Sequence, residues 1–134
     1  MTGLRSRAPG ADRDRGSAVV EFVLVAPLVI LVGMAVLQLV LLMHARSTLT
    51  RAAAEGARAG ALAGADAGAA AARARAIAVQ TLGGVTLTAV RAEAETLDGL
   101  PVMTLAIDAT VPLIGPFGTT AIEVEGHALL EVPR

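Results

Sequence analysis

The sequence predicts an α+β protein: a long N-terminal transmembrane α-helix that extends outside the membrane, followed by a small three-stranded antiparallel sheet. Three observations carry this prediction. From Phe22 to Met43 the chain reads FVLVAPLVILVGMAVLQLVLLM, with Gln38 its only strongly polar side chain. From His44 to Gly84 alanine dominates and proline is absent, a composition that favours helix. From Val85 onward the apolar period changes from helical to alternating, as expected of half-buried strands.

The apolar run has 22 residues, and at about 1.5 Å per residue it reaches about 33 Å, enough to cross a hydrocarbon core of about 30 Å. The competing explanation is a secretory signal peptide. Its apolar region is normally about 7 to 15 residues, and no convincing small-x-small cleavage site follows Met43. Arg5, Arg7, Arg13 and Arg15 precede the run, against Arg46, Arg51 and Arg58 just behind it. This weak basic excess favours a cytoplasmic N-terminus and places everything after Met43 outside the cytoplasm. Pro27 either kinks the helix or has its lost hydrogen bond absorbed by neighbouring groups.

In the alanine-rich stretch, Glu55 lies four residues after Arg51 and three before Arg58, spacings that set opposite charges side by side on a helix. Gly56, Gly60, Gly64 and Gly68 recur every fourth residue, each costing roughly 0.8 to 1 kcal/mol against alanine in a helix interior. Two readings account for them. Gly56, Gly60 and Gly64 form a small-residue ridge that lets another helix approach, or the chain breaks near Gly64 to Gly68 and a second helix starts with Asp66 as its N-cap. The next piece, Ala69 to Leu82, offers Ala72, Ala76, Ile77 and Val79 as a narrow apolar side, with Arg73 and Arg75 solvated. Gly83-Gly84 is its stop signal.

Three strands are expected beyond it. Val85, Leu87 and Ala89 share one face of the first. Met103, Leu105, Ile107, Ala109 and Val111 form the apolar face of the second. Ile122, Val124, Ala128 and Leu130 alternate with Glu123, Glu125 and His127 in the third. Asp98-Gly99 marks a tight hairpin, and the segment from Pro112 to Gly118 a longer link. Three such strands need a helix over their apolar face, and the alanine-rich helix is the available cover.

The remaining composition excludes several functions. A formal charge of −1, with Phe22 and Phe117 the only aromatics, provides neither a basic surface nor a stacking platform for nucleic acid. The chain has no cysteine, which removes disulfides and thiolate chemistry. Ser6, Ser17 and Ser47 sit in no nucleophile motif. His44 is read as an interfacial residue, and His127 with Asp108 as a solvated pair on adjacent strands. No phosphate loop or metal-site spacing such as H-E-x-x-H occurs. The expectation is no enzyme, no catalytic residue, no metal, no cofactor, and neither a nucleic-acid nor a small-molecule partner.

Glu21 stands out because a carboxylate within an apolar membrane segment is costly, and Ala18, Val19 and Val20 precede it. The local order is a charged leader, Gly16, Ser17, three further residues, Glu21 and then the apolar helix. This arrangement resembles the class III signal of type IV prepilins, which a membrane peptidase cuts after the glycine to leave glutamate at the fifth mature position. The block GSAVVEFVLVAPLVILV, with Pro27, and the stretch STLTRAAAEGARAGAL from Ser47 to Leu62 are similar to the TadE/TadG-like proteins of the Tad (Flp, type IVb) pilus system.

The resemblance implies a minor pilin or pseudopilin, a structural component in the assembly of a Tad/Flp-type pilus. It implies processing at Gly16 and Ser17 by a prepilin peptidase and an assembly role for Glu21. The implied partners are that peptidase, other pilin or pseudopilin subunits, the assembly machinery and membrane lipid. The domain reading is a leader over 1–16 that is cleaved, a transmembrane helix over 17–43, an Ala/Gly-rich helical region over 44–84 and a β meander over 85–134, similar in plan to a pilin. The implied location is the bacterial cytoplasmic membrane, single-pass, with an extracytoplasmic C-terminal domain. The alternative is an uncleaved single-pass membrane-anchored accessory or binding protein of the cell envelope.

Overall fold

Because neither proline nor paired glycines occur between His44 and Leu62, the helix of the apolar run continues into the alanine-rich stretch. The computed structural model describes residues 11–115 and 118–131, with side chains described from residue 15 onward, so the arginines of the leader before Arg15 lie outside that description. Helix α1 (Ala11–Leu62) has 52 residues and passes through Pro27. It begins ahead of Gly16, so the charged residues from Asp12 to Arg15 are helical. Helix α2 (Ala67–Thr81) follows, then strands β1 (Thr86–Leu97), β2 (Leu100–Pro112) and β3 (Thr119–Leu129).

The chain divides into two compact units, Met1–Leu37 and Gln38–Arg134. In the first, the side chains of α1 from Val19 to Leu37 are largely exposed, with Phe22 at 71% and Leu24 at 69%. Among the described residues, α1 is the helix long and apolar enough to cross a membrane.

In the second unit two helices cover one face of an antiparallel sheet of order β1-β2-β3. The turn between α1 and α2 is made by Gly64 (φ +79°) and Ala65 (φ +67°). Asp66 then caps α2, its carboxylate accepting from the Gly68 and Ala69 amides at 2.8 and 3.2 Å. Such a cap satisfies donors that the helix start leaves free. Asp98 (φ +51°) and Gly99 (φ +80°) form the tight hairpin between Leu97 and Leu100, with two left-handed residues matched to the strand twist.

The core joins alanines of the helices to larger side chains of the sheet. Ala45, Ala52, Ala53 and Ala57 of α1 and Ala70, Ala74 and Ala78 of α2 pack with Met103, Leu105 and Ile107. The helices approach closely because their inward positions are small. A Cβ on Gly56 would lie 2.7 Å from the Ala70 carbonyl oxygen and 2.8 Å from the Ala74 Cβ, and one on Gly60 would lie 2.6 Å from the Ala70 Cβ. The approach to the sheet is closer still. A Cβ on Gly126 of β3 would lie 2.5 Å from the Ala54 backbone nitrogen and 2.6 Å from the Ala53 carbonyl carbon.

Three expectations need correction. Gly64 does not continue the ridge of Gly56 and Gly60: no heavy atom lies within 4 Å of where its Cβ would be, and its left-handed backbone serves the turn. The inward side of α2 is Ala70, Ala71, Ala74 and Ala78, with Ile77 packed at its margin, while Ala72, Ala76 and Val79 are exposed, because the small stripe is what fits against the α1 glycines. In β1 a register irregularity between Leu87 and Ala89 adds one residue and reverses the alternation. Val85 and Leu87 are therefore followed inward by Val90 and Ala92, and Ala89 leaves the core face.

Gly126→Ala is expected to lower the stability of the C-terminal unit by about 1 to 3 kcal/mol, the usual cost of overpacking. Gly33→Ala, where nothing lies within 4 Å of the added carbon, should cause no loss. Thermal unfolding of the full chain in detergent, followed by circular dichroism, compares the two.

Candidate functional site

Gly16, Ser17 and Glu21 all lie on α1. Ser17 and Glu21 are separated by four residues, which places them on one side of the helix about one turn apart. Both are exposed, and a Cβ on Gly16 would meet nothing within 4 Å. Among the described residues no ion pair involves Glu21. Its carboxylate therefore heads an apolar surface of exposed Val20, Phe22, Leu24 and Val25. That combination suits contact with a partner carrying a positive charge inside a low-dielectric layer, where an uncompensated carboxylate is costly. The Gly16–Ser17 peptide is helical, and glycine is the residue, proline apart, that weakens a helix most.

Gln38, the polar side chain of the apolar run, has a defined partner in the C-terminal unit. Its Oε1 accepts the Ile114 amide at 2.8 Å, in the link between β2 and β3. Leu41, His44 and Ala45 of α1 line a recess there with Leu82, Val111 and Ile114. The last turns of the apolar run thus serve this unit's own packing. His44 is one wall of that recess and is exposed.

His127 and Asp108 are not neighbours across the strands. The register sets His127 opposite Thr104 and Asp108 opposite Glu123, so they lie four residues apart along the sheet. Asp108 accepts instead from Arg91 at 2.9 Å, and Arg91 also approaches Glu123 at 3.9 Å. Sequence spacing did not anticipate that Glu95, Glu125 and His127 converge, their possible ligand atoms within 4.8 Å of one another and all three residues exposed. These groups already have mutual and local partners: Glu95 accepts from the Thr104 hydroxyl, and His127 lies 3.5 Å from Glu125. The strand pairing that creates the cluster connects residues about thirty positions apart, which no local motif reveals.

Gly56 and Gly60 lie at the α1–α2 contact, whereas Gly64 lies in the turn. Gly126 and Gln38 were not singled out as contact residues by sequence reasoning. The available signal for Gly126 was a glycine inside an alternating strand, which often marks close approach by another backbone.

Residues 16–58 match the family model described as TadE-like protein. The match covers about a third of the chain, begins at Gly16, and includes Ser17, Glu21 and Gly56. The chain therefore carries a TadE-like segment that holds the exposed apolar helix and its polar head. No curated protein and no solved structure gives a significant match.

Replacing Gln38 by leucine should leave the Ile114 amide without its acceptor. The expected outcome is faster amide hydrogen exchange at Ile114 and a loss of about 1 kcal/mol in the C-terminal unit, typical of one hydrogen bond. Unchanged exchange at Ile114 would contradict this assignment.

Proposed function

We propose that this chain is a minor pilin or pseudopilin of TadE/TadG type, a structural component for assembly of a Tad/Flp-type pilus. The observation that carries the reading is the placement of Gly16, Ser17 and Glu21 at the head of an exposed apolar helix, within the segment that matches the TadE-like family. The role is structural: the chain is the substrate of an enzyme, a prepilin peptidase, and does no catalysis itself.

The helix anchors the subunit in the cytoplasmic membrane, its N-terminus cytoplasmic and its C-terminal unit outside. Since Gln38 belongs to the C-terminal unit, the embedded stretch runs over residues 18–37. That is roughly 20 residues or about 30 Å, the thickness of a hydrocarbon core. Cleavage after Gly16 removes the leader and leaves the anchor intact. The helical Gly16–Ser17 bond must first unwind into an extended strand to enter a protease cleft, and a glycine without Cβ eases that step. The new amino group on Ser17 then pairs with Glu21 of an adjacent subunit. In a low-dielectric layer this pairing offsets the cost of the carboxylate and sets subunit register.

The protein isolated from its host's membranes, with the pilus locus present, is expected to have a mass that begins at Ser17. Gly16→Arg should retain the leader, and cleavage persisting at that site in the variant would show the motif to be coincidental. A native chain that keeps its leader would leave the other reading, an uncleaved single-pass anchor with a small extracytoplasmic domain.

Glu21→Ala tests the assembly role separately. The variant should still insert into membranes yet co-isolate poorly with other pilus components, by roughly tenfold if one desolvated ion pair is lost. Undiminished co-isolation would remove Glu21 from the mechanism.

A further inference from the structure

The C-terminal unit separates its charges by layer. Its helices carry exposed Arg46, Arg51, Arg58, Arg73 and Arg75, against Glu55 and the capping Asp66. The outer face of the sheet has the opposite sign. On β1 it carries Glu93 and Glu95 with Arg91. On β3 it carries Glu123 and Glu125 with His127, and Asp108 lies between them on β2. Arg91 is committed to Asp108 and Glu123, which leaves Glu93, Glu95 and Glu125 without a guanidinium partner among the described residues. The helical arginines likewise form no ion pair with the sheet carboxylates of their own copy. At the β3 edge Arg46 of α1 shares a recess with Glu123 and Glu125 without forming an ion pair, so the separation of charge is widest on the β1 side, at Glu93 and Glu95.

We propose that the acidic outer face of the sheet docks on the arginine-bearing helical layer of a second copy of this chain. One copy presents both surfaces, so a second copy supplies the complement of each. The contact is head-to-tail, and each added subunit leaves one free face of each sign, the geometry that builds rings or open filaments. Centrally on the sheet face Thr104 and Ala106 are small, so a helix can lie close to it. Exposed ion pairs are individually weak and gain by forming networks, and they are screened by salt. The association is therefore reversible and salt-sensitive. It requires neither processing at Gly16 nor Glu21, so it can fail while the pilus reading stands, and the reverse.

The test uses the full chain in phosphatidylcholine vesicles. The sequence has no cysteine, so single cysteines report contacts cleanly. One population carries Ala106→Cys on the sheet, the other Ala72→Cys on α2, and a short bismaleimide joins those in contact. Crosslinking between the two populations should exceed sheet-to-sheet crosslinking by about fivefold, and should fall several-fold near 0.5 M sodium chloride, where the Debye length is about 4 Å.

Charge reversal is the stricter arm. Chains with Glu93→Arg and Glu95→Arg, or with Arg73→Glu and Arg75→Glu, should each lose crosslinking among themselves. Mixing the two variants should restore it, since the unaltered acidic sheet of the helix variant then meets the unaltered arginines of the sheet variant. All four positions are exposed, and circular dichroism confirms that each variant is folded. Unchanged yield on reversal, loss without restoration in the mixture, or dominant sheet-to-sheet crosslinks would each overturn the proposal. A crosslink that forms only after another pilus protein is added would assign the face to that protein and overturn it as well.

Discussion

The close approach of α1 to its neighbours is the constraint on which the C-terminal unit depends. At Gly126 the α1 backbone lies where a side chain of β3 would otherwise project, and at Gly56 and Gly60 the same helix meets α2. With so few large side chains on the helices, the core gains density by bringing backbones together. Leu49 is the large fully buried side chain from a helix, and Met103, Leu105 and Ile107 come from the central strand. Alanine and glycine in the helices thus act as space for the bulk of the sheet. The approach also compensates the helix cost of the glycines, since dense packing recovers dispersion energy that a gap would forfeit.

That constraint fixes how the apolar run is used. Because α1 is continuous, the helix that packs on the sheet is also the one whose N-terminal half exposes valine, leucine and phenylalanine over its whole circumference. A helix apolar all round is suited to a buried or lipid environment. The change of role falls near Gln38, whose side chain bonds to the β2–β3 link. A polar residue that looks misplaced in an apolar run is better understood as the first residue of the C-terminal unit.

The same two-layer arrangement explains the distribution of charge. Helices that turn alanine inward have their arginines outside, and strands that turn leucine, isoleucine and valine inward have their glutamates outside. The sign of each face follows from the residues chosen for those outward positions. A chain with complementary faces and a helix long and apolar enough to cross a membrane is a reasonable building block for an assembly, in keeping with the structural role proposed for its TadE-like segment.

Much of this was legible in one dimension. The apolar run, the alternation in β2 and β3, the Asp98-Gly99 hairpin and the Asp66 cap all depend on neighbours a few residues apart, and such local interactions leave periodic or compositional traces. The charged leader, Gly16 and Glu21 stood out for the same reason, being a short pattern set against an apolar background. Tertiary structure alone decided the rest. The extra residue in β1 reassigns Ala89 and Val90 because pairing with β2 sets the register. Val79 stays outside because the side of α2 centred on Ala70, Ala74 and Ala78 is the one that packs inward. Gly64 serves a turn while Gly56 and Gly60 serve a contact, although all three follow one four-residue rhythm. Asp108 meets Arg91 rather than His127, and Gly126 matters because a helix some seventy residues earlier in the chain lies against it. Each of these outcomes is set by steric fit between segments distant in sequence, and local pattern carries no record of that fit.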